Sequence, residues 1–274
     1  MAGYKTARWT NALGVSVYFD NAGKYYIESI DMTGNSADFT SSPIACADGQ
    51  TTTDVKLAPK VIPCSFALFD TNNSDTVLTW LSGVFFPKVS GKLTVYTDND
   101  TYRISCRPQT VPTFTREAVG CVWRFNVDFV ADYPYWRKGS EHSVTLDSNA
   151  VTVTSECPFD IPPKIIFPAN NADITFSIQH RLTSSDSWST SVDAFKVCGT
   201  LGNTARNFPL MIDTQTLRIT NANTCTNVNN WVDASAQTDK ALIKYGQTQI
   251  VCMGTFTSDN RPTLSYYDLS MGEL

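Results

Sequence analysis

The strongest constraint on the fold is a ten-residue segment, CVWRFNVDFV, in which apolar and polar residues alternate without a break from Cys121 onwards. In an extended strand such residues point to opposite faces. The apolar face carries Cys121, Trp123, Phe125, Val127 and Phe129, and the polar face carries Arg124, Asn126 and Asp128. Because a register shift of one residue would turn every apolar side chain to water, we expect this strand to anchor a hydrophobic core.

Shorter alternating segments on both sides of this strand predict further β-strands joined by turns. We predict three hairpins, at residues 15–27, 93–106 and 144–153, each centred on a turn rich in Asn and Asp. Further short strands are predicted at residues 61–69, 165–167, 174–178, 195–197, 209–212, 217–219, 250–253 and 264–269. The sequence therefore favours a fold built almost entirely of strands.

One helix is predicted between residues 74 and 83. Ser74 is suited to cap its first turn, and Asp75 suits the positive end of the helix dipole. Val77, Leu78, Trp80 and Leu81 follow at helical spacing before Gly83. We therefore expect an all-β fold with one short helix.

A domain boundary is predicted near residue 140. The 274-residue chain is long enough for two domains of ordinary size, and a Pro and a Gly interrupt the pattern in Tyr-Pro-Tyr-Trp-Arg-Lys-Gly, which ends at Gly139. We expect a β-sandwich-like domain over residues 1–140. A second domain, with the short, turn-punctuated strands of a jelly roll, is expected over residues 141–274.

Composition argues against several classes of protein. The formal net charge is -5, and no run of Lys or Arg could follow a phosphate backbone, so we expect no contact with nucleic acid. The first residues lack the apolar stretch of a secretory signal, and no segment has the roughly 18 apolar residues that span a bilayer, so we expect no membrane insertion.

The residues that usually carry catalysis or bind metals are sparse. His142 and His180 are the only histidines, and neither has Cys or carboxylate residues at metal-ligand spacing. Phosphate-binding glycine loops are absent from the sequence. We therefore expect no catalytic residue, no cofactor and no bound metal.

The eight cysteines are dispersed along the chain, with no C-x-x-C pair. The positions are Cys46, Cys64, Cys106, Cys121, Cys157, Cys198, Cys225 and Cys252. In a reducing cytoplasm such residues behave as small buried hydrophobes, so we expect free thiols.

A long polar segment, residues 34–59, interrupts the strand pattern. It contains Gly34, Pro43 and a run of three Thr residues, and it is longer than ordinary connections. We interpret it as an arm or binding loop that buries little by itself and is ordered by a partner, with ordinary structure at a sheet edge as the alternative. Phe39, Ile44 and Val55 are its candidate anchors.

The order of these motifs resembles that of the siphophage distal tail protein family, the hub protein of the phage baseplate. The shared features in the N-terminal half are Ala67-Leu68-Phe69, the helix, the region from Pro87 to Arg107, and the long strand closing on Asp132-Tyr133-Pro134-Tyr135-Trp136. Asp48 and Gly49 lie where the family carries a Gly-bearing loop. In the C-terminal half, residues 208–214 and 242–250 are similar to strands of the family's galectin-like or carbohydrate-module-like jelly roll.

The resemblance implies a structural virion protein at the phage tail tip, made in the host bacterial cytoplasm. It implies a homo-hexameric ring that joins the tail tube protein to the tail-tip hub protein and supports the receptor-binding protein. A ring of this kind closes through heterologous interfaces, and the arm would lie across the neighbouring subunit by β-augmentation.

Two other functions stay open. A carbohydrate-binding protein that contacts the host cell wall could use Trp188 and Trp231, which lie in polar segments, as stacking platforms for sugars, although a loop tryptophan more often packs beneath a sheet. A glycosidase would need a carboxylate pair, for which the sequence offers Asp128 with Asp132 or Asp186 with Asp193. Carboxylates in such positions are usually solvated charges.

Overall fold

The computed structural model describes residues 6–20, 22–43, 50–69, 74–117, 122–147, 149–170, 172–202, 204–233, 241–256 and 260–272. These residues form antiparallel β-strands together with one α-helix and one 3₁₀ turn. The predicted all-β fold with one short helix is confirmed.

The described residues of the first half of the chain form eleven strands and the helix. They are β1 (Thr6–Asn11), β2 (Ser16–Phe19), β3 (Tyr25–Ile30), β4 (Ala37–Pro43), β5 (Gln50–Leu57), β6 (Lys60–Phe69), α1 (Ser74–Val84), β7 (Gly91–Tyr96), β8 (Thr101–Pro108), β9 (Phe114–Arg116), β10 (Val122–Ala131) and β11 (Trp136–Thr145).

The second half contains ten strands and the 3₁₀ turn. They are β12 (Val151–Ser155), β13 (Lys164–Phe167), β14 (Ile174–Arg181), β15 (Val192–Val197), β16 (Thr200–Leu201), β17 (Thr204–Ala205), β18 (Leu210–Asp213), β19 (Arg218–Asn221), the turn Asn229–Trp231, β20 (Gly246–Met253) and β21 (Thr263–Ser270).

The chain divides into two compact units. The first comprises Met1–Gly139 together with Ser270–Leu274, and the second comprises Ser140–Leu269. The chain thus leaves the first unit within β11 and returns to it within β21, a return that the sequence analysis did not foresee.

The first unit is held together by a cluster of buried aromatic rings. Strands β2, β1, β7 and β8 form one antiparallel series, and β3, β6 and β10 form another. Between them, Phe19 stacks on Phe66 with ring centroids 4.0 Å apart, and Trp9 lies 4.8 Å from Phe129. The Trp9 indole is fully buried, and its Nε1 donates to the Val84 carbonyl oxygen at 3.2 Å, which satisfies its polar atom.

Strand β10 has the predicted alternation. Phe125, Val127 and Phe129 are buried, and Trp123 is partly buried against the same core, whereas Cys121 lies outside the described residues. All ten residues pair with β6, from Val122 opposite Phe69 to Ala131 opposite Lys60. This strand anchors the first core, as its sequence indicates.

Only one of the three predicted hairpins forms. Strands β7 and β8 pair around residues 97–100, with Tyr102, Ile104 and Cys106 buried, as predicted. The hairpin predicted at residues 15–27 is wrong, because β2 pairs with β1 whereas β3 pairs with β6. The Asp20 carboxylate accepts hydrogen bonds from the Ala22 and Gly23 amides, and this turn sends the chain into the other series of strands.

The hairpin predicted at residues 144–153 is also wrong. Strand β12 pairs with β20 rather than with β11. Asp147 accepts a hydrogen bond from the Asn149 amide at 2.8 Å, a turn that redirects the chain without forming a hairpin.

Helix α1 matches its prediction closely. Leu81 and Val84 are buried, Val77 and Leu78 pack partly against the first core, and Trp80 is 41% exposed. The helix ends one residue beyond Gly83.

Most described strands of the second unit lie in two antiparallel sheets. One is the four-stranded sheet β12-β20-β14-β15, and the other contains the series β19-β18-β13-β21-β11 of a larger sheet. Phe176 and Phe195 stack within the first sheet at 4.6 Å, and Phe167 of the other sheet meets Phe195 at 5.8 Å. These apolar rings join the two sheets into one core.

Candidate functional site

The polar segment forms a β-hairpin that pairs with no other strand among the described residues. Strands β4 and β5, which we call the arm hairpin, run antiparallel from Ala37 opposite Leu57 to Pro43 opposite Gln50. The Ala58 amide donates to the Ser36 carbonyl oxygen at 3.0 Å and extends the pairing at its base. The segment interpreted as an arm or binding loop is therefore a strand pair in its described part.

The described side chains of the arm hairpin are mostly exposed. Phe39 is 66% exposed, and its neighbours Asp38 and Thr40 are also exposed. On β5, Lys56 lies 3.1 Å from Asp54 in an ion pair that faces solvent. A two-stranded hairpin is only marginally stable in water unless it packs against another element. The described side chains of the arm hairpin show little such packing.

Only part of the candidate anchor set can be placed. Phe39 lies on β4 directly opposite Val55 on β5. Ile44, Asp48 and Gly49 lie outside the described residues. Of the five candidates, Phe39 is therefore the one whose side chain the structure places on the surface.

Asn35 and Lys60 flank the arm hairpin, and we call this end of it the root. Hydrogen bonds fix the root to the rest of the first unit. Lys60, 1% exposed, donates from Nζ to Asn35 Oδ1 at 3.0 Å and to the Met271 carbonyl oxygen at 2.7 Å. Burial lowers the pKa of Lys60 to about 8, and the nearby Asp31 carboxylate opposes this shift. Trp136 Nε1 donates to the Met32 carbonyl oxygen at 3.3 Å, so both ends of the connection between β3 and β4 are fixed.

The last described residues complete this root. Gly272 has φ +131°, and a Cβ placed on it would lie 2.1 Å from the Met32 carbonyl oxygen. Only glycine fits both the backbone angle and the space. The C-terminal segment therefore packs tightly against the start of the arm.

An open groove of about 420 Å³ lies elsewhere on the first unit, beside β9 and the polar face of β10. Arg124 crosses it and pairs with Glu28 at 2.7 Å and with Glu117. The lining is mostly polar and includes Asp128 and exposed Val111. Arg124 is thus engaged by two carboxylates, and Asp128 adds a further negative charge to the lining.

The carboxylate pairs considered for a glycosidase are each engaged separately. Asp132 accepts two hydrogen bonds from Arg107, at 3.0 and 3.2 Å, whereas Asp128 lines the groove. Asp186 accepts hydrogen bonds from Thr183, which lower the pKa of its carboxyl group. This direction is opposite to the raised pKa of the general acid in such enzymes.

The histidines and cysteines form no metal cluster in the described part of the chain, where no three acidic, His or Cys side chains converge. His142 contacts Asp268 at 3.2 Å and stacks on Tyr266. His180 bonds to Thr248 at 3.0 Å, and burial lowers its pKa. The described helices are too short and too polar to cross a bilayer.

The two candidate sugar-stacking tryptophans differ sharply in accessibility. Trp231 is 7% exposed and packs edge-on against Phe208 at 5.5 Å, which favours the alternative of a loop tryptophan that packs beneath a sheet. Trp188 is half-buried in the turn after β14, with the Arg181 guanidinium 4.2 Å above its ring.

No protein-family model and no curated relative matches the sequence. Solved structures do match it. The Dit (gp 19.1) protein of phage SPP1, described as a paradigm of the hub adsorption apparatus in phages that infect Gram-positive bacteria, matches with a TM-score of 0.64 and 13% identity over 96% of this chain and 99% of that chain.

Two structures of the phage P2 baseplate in its activated conformation also match. The structure with Ca gives a TM-score of 0.56 and 9% identity over 99% of this chain and 100% of that chain. The structure with Sr gives a TM-score of 0.52 and 10% identity over 96% of this chain and 98% of that chain. The predicted resemblance to the distal tail protein family is thus confirmed at the level of the fold.

Proposed function

We propose that this chain is a structural protein of a phage tail tip, whose copies form a hexameric ring. The ring would join the tail tube protein to the tail-tip hub protein and support the receptor-binding protein. The observation that carries the proposal is a fold shared along nearly the full length of both chains with a phage hub protein. Such a protein acts through buried interfaces and needs no catalytic group.

The arm hairpin supports this assembly role. It exposes Phe39, pairs with no other described strand, and rises from a root that Lys60 fixes from within the core. A strand pair of this kind is stabilised when it lies on another subunit, either by strand addition or through a small set of apolar anchors. The subunit would be made in the host cytoplasm and act in the virion.

Native mass spectrometry and negative-stain electron microscopy of the purified protein test the proposal. We expect a closed ring of six copies. Deletion of residues 38–52, which removes most of the arm hairpin, should give a folded monomer with nearly unchanged melting temperature, because the segment buries little in its own subunit.

Two point variants sharpen the test. Phe39→Ala should shift the protein towards monomers, whereas Thr40→Ala, an exposed neighbour on the same strand, should assemble like the wild type. A protein that stays monomeric at high concentration and in the assembled particle would contradict the ring. If the deletion variant still assembles, or does not fold, the hairpin is not the assembly arm.

A further inference from the structure

Two rows of polar side chains run side by side on the outer face of the β12-β20-β14 sheet. Across the three strands, one row is Thr152, Gln249 and Gln179, and the other is Thr154, Gln247 and Arg181. Their chain neighbours Val153, Thr248 and Ile178 are buried on the opposite face. We call these two rows the polar patch.

The polar patch retains hydrogen-bonding capacity after its internal bonds are made. Gln179 donates from Nε2 to Gln249 Oε1, and Arg181 donates from Nε to Gln247 Oε1 at 2.7 Å. These bonds leave the Gln179 oxygen as an acceptor and the NH₂ groups of Gln249 and Gln247 as donors. Thr152 and Thr154 add two exposed hydroxyl groups, each of which can donate and accept.

Trp188 borders the polar patch and is held there by its turn. The Arg181 guanidinium lies 4.2 Å from the centre of the indole ring. Around the turn, Asp186 accepts from the Thr183 amide at 2.7 Å, and the Ser189 amide donates to the His180 carbonyl oxygen at 2.8 Å. The indole and the guanidinium therefore stand in fixed positions at one end of the two rows.

The neighbouring glycine keeps this turn close to the sheet. Gly246, which precedes Gln247, has φ +90°, and a Cβ there would lie 2.5 Å from the Leu182 carbonyl oxygen. No other residue would let β20 approach the turn so closely. The arrangement of Trp188, Arg181 and Gln247 thus depends on the backbone as well as on the side chains.

We propose that the polar patch and Trp188 form a binding site for an oligosaccharide. Sugar hydroxyls are simultaneous donors and acceptors, and the patch presents amide oxygens, amide NH₂ groups and hydroxyls in alternation. The rows span roughly 10 Å across the strands and about 7 Å along them, comparable with a disaccharide. Trp188 supplies the apolar surface that a sugar ring packs against.

The charge and polarity of the polar patch favour this class over other ligands. Arg181 is its single charged residue, so the patch offers a partner for one carboxylate at most and no site for a densely charged polymer such as a nucleic acid. The rows contain no large apolar anchor of the kind that protein interfaces use, and the apolar residues Val251 and Met253 come further along β20. The site does not depend on ring formation, so its failure would leave the proposed assembly role unaffected.

Isothermal titration calorimetry of the full-length protein tests the site. The probes are cellotetraose, chitotetraose and maltotetraose as neutral saccharides and tetragalacturonic acid as an acidic one. We expect saturable binding of at least one probe with a Kd of about 1 mM or tighter. A preference for the acidic probe would indicate that Arg181 contacts a carboxylate, and a preference for a neutral one that it contacts hydroxyls.

Variants distinguish the polar patch from any other sugar-binding surface. Gln249→Ala, Arg181→Ala and Trp188→Ala should each weaken binding about tenfold or more. Asn207→Ala, an exposed amide outside the patch, is the matched control and should bind like the wild type. Melting curves of each variant show whether it is folded.

Two outcomes would overturn the assignment. One is that no probe binds to the folded wild-type protein. The other is that binding persists in folded Gln249→Ala and Trp188→Ala, because the sugar would then lie elsewhere.

Discussion

Lys60 places a positive charge where almost no water reaches it, at the root of the arm hairpin. Its ammonium group has two oxygen partners, Asn35 Oδ1 and the Met271 carbonyl, and the Asp31 carboxylate lies nearby. Burial still outweighs these contacts and lowers its pKa from 10.5 to about 8. The folded protein therefore holds this proton less tightly than the unfolded chain does.

This difference predicts a pH dependence of stability. Between pH 8 and 10.5 the unfolded chain binds more protons at this site than the native state, so the contribution of Lys60 to the free energy of unfolding rises with pH. The slope approaches about 1.4 kcal/mol per pH unit. Below pH 8 both states are protonated, and the contribution stays at its lower value.

Urea denaturation of the wild type and of Lys60→Met across pH 7–10.5 measures this contribution. Other groups that titrate in the range are common to both proteins and cancel in the difference. We expect the free energy of unfolding of the wild type to rise relative to that of the variant as the pH increases. A difference that stays constant with pH would show that Lys60 has an ordinary pKa.

The cysteines give a second prediction at the scale of single residues. The six described cysteines are free, and burial raises the pKa of Cys64, Cys106 and Cys252, the last to about 12. Because the thiolate is the reactive form, these three should resist a thiol reagent in the native state. Exposed Cys225 should react early.

Titration with Ellman's reagent without prior reduction checks this prediction. In denaturant we expect all eight thiols to react, and in native buffer a fast fraction that is smaller by one thiol in Cys225→Ser. Fewer than half of the thiols reacting in denaturant would indicate disulfides.

At the scale of elements, β10 lies beside β6 in one wall of the first core, and its side chains differ in their degree of burial. Phe125 is 2% exposed and lies within 6.4 Å of the rings of Phe19, Phe66 and Phe85. Phe125→Ala should therefore cost about 3–5 kcal/mol of stability. Trp123 is only partly buried and has Arg116 over its ring at 5.8 Å, so Trp123→Ala should cost less.

Chemical denaturation of the two variants gives this comparison directly. Thr115→Ala, on the neighbouring strand β9 and lining the open groove, is the control and should change stability little. An equal loss for both aromatic variants would mean that the Trp123 side chain is as essential to the core as Phe125.

The contrast between β10 and the arm hairpin explains how much of the fold the sequence could predict. Strand β10 could be predicted because one of its faces packs on a core and the other faces water. Apolar and polar residues therefore alternate along its sequence. Strands β4 and β5 expose Asp38, Phe39, Thr40, Asp54 and Lys56, so no such pattern arises. The one sequence feature that indicated a strand here was the run of β-branched Thr residues in β5.

Strand pairing was less predictable than strand positions. An Asx turn such as that at Asp20 or Asp147 looks the same in sequence whether the chain folds back on itself or passes to another sheet. The polar patch was missed for a related reason, since its residues come from β12, β14 and β20, which only the folded sheet brings together. Trp188, which borders the polar patch, was the one residue of the proposed sugar site that the sequence indicated.

At the scale of the whole molecule, the first unit is built from two separate parts of the chain. Residues 270–272 return to it from the second unit, where the Met271 carbonyl oxygen binds buried Lys60 and Gly272 packs on Met32. Without these residues the Lys60 ammonium group would lose one of its two hydrogen-bond acceptors. An unpaired buried charge is costly, so we predict that residues 1–139 alone are markedly less stable than the same residues with the C-terminal segment restored.

Two proteins test this: residues 1–139, and residues 1–139 joined through a flexible Gly-Ser linker to residues 270–274. Thermal melting monitored by circular dichroism should show a cooperative transition for the joined protein and a lower or absent one for the shorter protein. Joined protein carrying Gly272→Val should resemble the shorter protein, because the Cβ has no space beside the Met32 carbonyl oxygen. If residues 1–139 melt like the joined protein, the C-terminal segment is dispensable for the first unit, and the contact of Lys60 with Met271 does not stabilise it.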